Sequence, residues 1–110
     1  MDCLFCKIVN GEIPNKTVYE DDRVLAFYDI DPKAPVHVLV IPKVHLSGAA
    51  AVTVDTAADV AHIFEVIPQI AKSLDLTDFR VVTNNGPDAG QTVGHLHFHI
   101  LGGRVLGEMG

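Results

Sequence analysis

Three histidines alternate with apolar residues near the end of the chain, in the run His95–Leu101. Side chains two positions apart on a β-strand share a face, so the three imidazoles are predicted to line one surface, about 6.6 Å apart at a rise of about 3.3 Å per residue. Leu96, Phe98 and Ile100 would then face the core. Besides a solvated, histidine-rich strand face, this pattern is typical of a three-histidine zinc site or of an imidazole nucleophile that attacks phosphorus.

A pair of cysteines lies near the start of the chain, at Cys3 and Cys6. Thiolates at this spacing bind one zinc ion readily but supply only two of the four ligands. An ordinary reduced pair without a metal is the alternative. A thioredoxin-like redox pair fits less well, because no βαβ pattern follows.

The segment 84–92 is rich in turn-forming residues and comes just before the histidine run. Gly86 and Gly90 let backbone amides approach an anion without a side chain in the way. Gln91 and Thr92 can donate hydrogen bonds to phosphate oxygens. We therefore predict a phosphate-binding loop here.

The elements that must position these residues are two helices and a sheet. A short helix is predicted at Leu4–Val9. A long one follows Thr56, which resembles a capping box with Asp59, and Pro68 should kink or split it. The apolar stripe of the long helix has a spacing of three and four, at Val60, Ile63, Phe64, Ile67, Ile70, Ala71 and Leu74. His62 lies on its polar face, where we expect it to be solvated and without a role.

Five β-rich runs predict an antiparallel sheet of about five strands, at 17–20, 23–29, 36–41, 79–83 and 95–101. Hairpin-like connections around one long helix indicate an α+β domain over residues 1–110.

The composition limits which classes of partner this chain is expected to bind. It has 110 residues and a net charge of −6, which disfavours a nucleic acid or an anionic membrane as the main partner. No stretch of 18 apolar residues and no signal-peptide pattern occurs, so we expect a cytoplasmic protein without a membrane span.

Taken together, these residues resemble the histidine triad (HIT) family, whose motif is His-φ-His-φ-His-φ-φ with φ apolar. The resemblance covers nearly the whole chain, including 27–30, 35–43, 84–93 and 101–104. It is greatest for the nucleotide-binding branch, whose members cleave adenosine and guanosine phosphoramidates. The galactose-1-phosphate uridylyltransferase branch usually has glutamine at the third histidine, whereas this chain has His99.

The resemblance assigns roles to individual residues. It implies that His97 is the nucleophile, that His99 donates to the phosphate and that His37 supports the site. Asp29 would bind the ribose, and Phe27 and Ile30 would form a wall for the base. The implied phosphate contacts are Asn84, Gly90, Gln91 and Thr92, and the implied ligands of a structural zinc are Cys3, Cys6, His45 and His95.

The activity implied by the resemblance is hydrolysis of the phosphorus–nitrogen bond in purine nucleoside phosphoramidates, which are AMP or GMP derivatives. A covalent nucleotidyl-histidine would form without any catalytic cofactor, in a homodimer whose sheets join edge to edge. Two alternatives remain, a dinucleoside polyphosphate hydrolase and a nucleotide-binding scaffold with incidental turnover. No tail residue is assigned to substrate selection, because residues 104–110 lack the tryptophan of some relatives.

Overall fold

The computed structural model describes residues 3–109, which form one five-stranded antiparallel sheet with two α-helices. This is the α+β architecture that the sequence predicts. The elements in chain order are α1 (Leu4–Val9), β1 (Thr17–Glu20), β2 (Val24–Tyr28), β3 (Val36–Pro42), α2 (Ala57–Ser73), β4 (Phe79–Val82) and β5 (Phe98–Gly102). Single 3₁₀ turns occur at Ala49–Ala51 and Pro87–Ala89.

Strand β3 is the centre of the sheet, whose spatial order is β1-β2-β3-β5-β4. It is a run of mostly β-branched residues, and all but its first residue are buried. Its antiparallel pairing places Leu39 opposite Phe27 on one side and opposite His99 on the other. The middle of the sheet is therefore fixed next to the histidine run.

One face of the sheet packs on α2. The apolar stripe of this helix contributes Ile63, Val66, Ile67 and Ile70 to the core, together with residues of β2 and β3. Leu96, Phe98 and Ile100 belong to the same core, which confirms that the apolar residues of the histidine run point inward. Among residues 3–109, no helix combines the length and apolar character needed to cross a membrane.

The start of α2 differs from the prediction, and of the two effects expected of Pro68, a kink or a split, the split does not occur. The helix is not split at Pro68 but runs without a break from Ala57 to Ser73. The predicted capping box is also wrong, because the Thr56 side chain makes no cap hydrogen bond. Its Oγ1 accepts the Thr53 amide at 2.9 Å instead, and Asp59 pairs with Arg23 at 3.1 Å.

The last strand is shorter than predicted. β5 begins at Phe98, so His95 and His97 precede the strand and only His99 lies in it. The backbone of this preceding segment bonds outside the ladder: the Leu96 amide donates to the Leu46 carbonyl at 2.6 Å, and the Thr83 hydroxyl donates to the His97 carbonyl at 2.8 Å. The three imidazoles nevertheless lie on the same side of the sheet, since the Phe5 ring contacts those of His95 and His97, and the His97 and His99 ring centroids are 5.0 Å apart.

His62 is not the solvated bystander that its position suggests. Its Nε2 lies 2.6 Å from Asp21 in the β1–β2 turn, and its Nδ1 lies 3.2 Å from Glu65 on α2. These hydrogen bonds, that to Asp21 first, raise the pKa of His62 above 6.5. Burial alone would raise the pKa of Asp21, but hydrogen bonds from His62, Tyr19 and backbone amides hold it below its usual range. The ion pair fastens α2 to the β1–β2 hairpin.

The His62→Gln variant is expected to have a lower melting temperature than the wild type in mildly acidic solution. Because the folded protein holds this proton more tightly than the unfolded chain, the stabilisation is complete below about pH 6.5 and is lost as pH rises through the folded pKa. Thermal melts of both proteins between about pH 5.5 and pH 8.5 should show a difference that shrinks with pH. A pH-independent difference would contradict this explanation.

Candidate active site

The second face of the sheet carries a groove, because α1 covers only part of it. Phe5 and Ile8 of this short helix pack against Leu25, Phe27 and Leu39, among others. Beside them lies a cavity of about 940 Å³. The predicted site residues that line it are Phe27, Asp29, Ile30, Thr92, His97 and His99.

His97 is buried at the inner end of this cavity and has a defined tautomer. Its Nδ1 lies 2.7 Å from the carbonyl oxygen of His95, so this nitrogen carries the proton and donates. In the neutral ring, the lone pair is then on Nε2. An unprotonated imidazole nitrogen at a cavity of this size can act as a nucleophile.

A chain of hydrogen bonds also defines the tautomers of His37 and His99. The Lys33 amide donates to His37 Nδ1 at 3.0 Å, which leaves the His37 proton on Nε2. That Nε2–H donates to His99 Nδ1 at 2.9 Å. The proton of neutral His99 is therefore on Nε2, where it can serve as a hydrogen-bond donor.

Burial keeps these two imidazoles neutral. It lowers the pKa of His99 to about 4, with further contributions from the charges of His97 and His37. Burial likewise lowers the pKa of His37, although the Asp29 carboxylate opposes this effect. At neutral pH, His99 is therefore a neutral donor beside His97.

Asp29 follows β2 at the rim of the cavity. Its Oδ1 accepts the Asp31 amide at 2.8 Å, and its Oδ2 lies 3.4 Å from His37 Nε2. Asp29, His37 and His99 are close enough to share a metal ion. A neutral imidazole bound to metal through Nε2 would carry its proton on Nδ1, which here accepts the Lys33 amide. We therefore interpret this group as a hydrogen-bonded chain.

The apolar wall of the cavity is larger than the predicted pair of Phe27 and Ile30. Ile30 is fully exposed at the rim, so Phe27 forms the deeper part of the predicted wall. The structure adds Leu4, Phe5, Ile8, Ile13 and Leu39. The spacing of Leu4, Phe5 and Ile8 along the short helix was the available signal, since residues three and four apart share a helix face.

The turn-rich loop supplies Thr92 to the cavity, while Asn84, Gly90 and Gln91 are not part of its lining. The side-chain Nε2 of Gln91 donates to the carbonyls of Ser47 and Val93 at 2.7 and 2.9 Å. Its oxygen accepts the Gly86 amide at 2.8 Å. In this conformation Gln91 fastens the loop, and its phosphate contact stays a prediction.

Close to His97 lies a cluster of two thiols and two imidazoles, from Cys3, Cys6, His45 and His95. His95 Nδ1 is 3.5 Å from each Sγ and 3.2 Å from His45 Nδ1, and Cys6 Sγ is 3.3 Å from His45 Nδ1. A tetrahedral zinc with ordinary bond lengths would separate two nitrogen ligands, or a nitrogen and a sulfur ligand, by about 3.3 to 3.6 Å. The donor set and its spacing fit zinc.

The tautomer of His95 fits as well. Its Nε2–H donates to the Pro42 carbonyl at 2.8 Å, so the lone pair of the neutral ring is on Nδ1, inside the cluster. Three atoms approach this lone pair, which can accept only one hydrogen bond but can bind one cation. Burial, followed by the contact with Cys3, raises the pKa of the Cys6 thiol to about 11, so metal binding would displace a proton.

Comparison with known proteins decides the family. The model of the HIT domain matches residues 10–106. The chain belongs to the HIT family. An uncharacterized HIT-like protein of Synechocystis is 51% identical over 104 residues, covering 94% of this chain and 91% of the relative. Protein HitA of Neisseria gonorrhoeae is 45% identical over 102 residues, covering 92% of this chain and 95% of the relative.

Solved HIT structures share the whole architecture. A histidine triad protein from Clostridium difficile superimposes with a TM-score of 0.95 at 52% identity, covering 100% of this chain and 97% of the other. A HIT family hydrolase from Clostridium thermocellum superimposes with a TM-score of 0.94 at 43% identity, covering 98% of this chain and 96% of the other. The predicted HIT fold, a five-stranded antiparallel sheet with one long and one short helix, is therefore confirmed.

Proposed function

We propose that this HIT protein is a hydrolase of purine nucleoside phosphoramidates that acts through a covalent nucleotidyl-His97. The observation that carries the proposal is the free Nε2 of His97, defined by the Nδ1 bond to the His95 carbonyl, at a cavity of about 940 Å³. Ligand pockets of about 300–1,000 Å³ accommodate a molecule of nucleotide size. The match to a HIT family hydrolase supports the general class.

The reaction has two displacements at phosphorus. In the first, the Nε2 lone pair of His97 forms a bond to phosphorus, and the electron pair of the phosphorus–nitrogen bond leaves with the amine, which takes up a proton from solvent. His99 Nε2–H stabilises the developing negative charge on a phosphate oxygen. In the second, water attacks phosphorus and gives a proton to solvent. The electron pair of the bond between phosphorus and His97 Nε2 returns to that nitrogen, which releases the nucleoside monophosphate and restores His97. Apart from water, these steps need only groups of this chain.

Two competing substrates decide between this activity and its alternatives. Purified protein is assayed side by side with an adenosine phosphoramidate and a diadenosine polyphosphate, and we expect the larger kcat/KM for the phosphoramidate. Faster cleavage of the anhydride would favour a dinucleoside polyphosphate hydrolase. Nucleotide binding without turnover of either substrate would favour a scaffold.

Asp29 is proposed to bind the ribose hydroxyls of the nucleotide, since its carboxylate lies at the cavity rim beyond the apolar wall. Asp29→Ala is expected to weaken AMP binding about 10- to 150-fold, because a hydrogen bond to a charged group contributes about 1.5–3 kcal/mol. Isothermal titration calorimetry measures the effect, with phenyl phosphate as the ribose-free control. An equal loss for both ligands would mean that Asp29 acts through His37.

The base is proposed to be a purine, because Phe5, Ile8 and Phe27 offer a large apolar wall whose grip grows with the area it covers. AMP and GMP are therefore expected to bind more tightly than CMP.

A homodimer is proposed through the exposed edge of the sheet. β4 is an edge strand, and Phe79 on it is 37% exposed. Sedimentation velocity tests the assembly.

The metal cluster is proposed to hold a structural zinc, and reduced thiol ligands fit a cytoplasmic location.

A further inference from the structure

We propose that α1 couples the metal cluster to the nucleotide pocket, so that an ion bound by Cys3, Cys6, His45 and His95 raises the affinity for nucleotide. The inference rests on the proposed function, because it requires the nucleotide to occupy the cavity beside His97.

The helix and the residue before it contribute side chains to both sites. Cys3 precedes its first turn, where the Cys3 Sγ accepts the Cys6 amide at 3.3 Å, and both thiols belong to the metal cluster. Leu4, Phe5 and Ile8 line the cavity. A helix of six residues is too short to be stable by itself, so its position depends on what its side chains contact. An ion held by Cys3 and Cys6 would fix the wall that Leu4, Phe5 and Ile8 present.

Phe5 carries the coupling to the nucleophile. Its buried ring meets His97 edge-on, with centroids 5.1 Å apart and an interplanar angle of 87°. The same ring contacts the wall residue Phe27 at 5.6 Å and the metal ligand His95 at 6.0 Å. Phe5 is thus a positioning residue, which holds His97 and the base wall in register with the cluster.

His95 provides a second connection. Its side chain belongs to the metal cluster, while its backbone carbonyl accepts the Nδ1–H of His97. An ion that holds the His95 ring also restrains this carbonyl. The tautomer and orientation of His97 are then preserved more firmly in the loaded protein.

Without an ion, three donor atoms crowd the single lone pair of His95 Nδ1, so the cluster must relax. We expect the start of α1 to be the segment that moves, because the His95 ring is held to the end of β3 by its hydrogen bond to the Pro42 carbonyl. Nucleotide binding must then order α1 again, which lowers the apparent affinity. Linkage is reciprocal, so bound nucleotide must raise the metal affinity by the same factor.

Calorimetric titration of AMP into zinc-loaded and chelator-treated protein measures the coupling. We expect AMP to bind about tenfold more weakly after chelation, within the usual range of couplings between sites. In the reciprocal experiment, a chromophoric chelator competes for zinc, and saturating AMP should raise the zinc affinity about tenfold.

Two variants locate the coupling in α1. Phe5→Leu keeps all four metal ligands and an apolar side chain but loses the ring contacts, so the effect of zinc on AMP affinity should fall toward onefold. Ile70→Val is the matched control, because Ile70 belongs to α2 and packs in the core on the opposite face of the sheet. It should keep the tenfold effect.

The outcomes separate this inference from the proposed function. Equal AMP affinity with and without zinc, or no zinc binding, would overturn the coupling while AMP binding itself upholds the nucleotide site. Failure of AMP to bind the zinc-loaded protein would overturn both. Circular dichroism completes the test, since loss of the whole fold on chelation would show a global effect rather than one carried by α1.

Discussion

Replacing His97 with asparagine is expected to lower kcat for phosphoramidate hydrolysis by on the order of 10⁴-fold or more, because the variant has no nitrogen lone pair that can attack phosphorus. AMP should still bind, since an asparagine amide can donate to the His95 carbonyl as the Nδ1–H of His97 does. Steady-state kinetics and calorimetric AMP titration measure the two effects separately.

Intact-mass analysis of the quenched wild-type reaction should show a nucleotide attached to the chain, and peptide mapping should place it on His97. The His62→Gln variant is a suitable control, because His62 lies on α2 and pairs with the β1–β2 turn. It should form the adduct and turn over normally. Full activity of the His97→Asn variant would refute covalent catalysis by this residue.

Zinc is expected to raise the melting temperature of the metal-free protein by about 15 °C. At a free zinc concentration about 1,000-fold above the dissociation constant, binding stabilises the fold by about 4 kcal/mol, and each kcal/mol shifts the melting temperature of a chain of this size by about 4 °C. Elemental analysis should find about one zinc per chain, the capacity of one tetrahedral site. The rate at saturating substrate should change much less, because His97 is not a ligand.

Cys6→Ser should abolish most of this thermal shift, since a serine hydroxyl is a poor replacement for a thiolate ligand. His62→Gln leaves the cluster intact and should keep the shift. A metal-free protein with unchanged stability would disprove the structural site. Reversible loss of turnover at saturating substrate on chelation would instead indicate a catalytic metal.

Most of the fold was predictable from local pattern. Period-two alternation and β-branched runs predicted all five strands, and the apolar stripe predicted α2. The errors lie where tertiary partners override a local preference. Thr56 does not cap α2, because its hydroxyl oxygen accepts the Thr53 amide and Asp59 pairs with Arg23. β5 starts late because the Leu96 amide donates to the Leu46 carbonyl outside the ladder.

The histidine run and the paired cysteines by themselves limited the chemistry expected of this chain to metal binding and to nucleophilic attack by an imidazole. Residue type fixes whether a side chain can offer a lone pair or a thiolate, and spacing fixes which neighbours can share a face. The tertiary structure decided which nitrogen carries each proton. The acceptors and donors involved, the His95 carbonyl for His97 and the Lys33 amide for His37, depend on backbone placement. The tertiary structure also brought the Nδ1 atoms of His45 and His95, 50 residues apart in the chain, to within 3.2 Å of each other. A sheet joins distant segments in this way, and no local pattern can relate them.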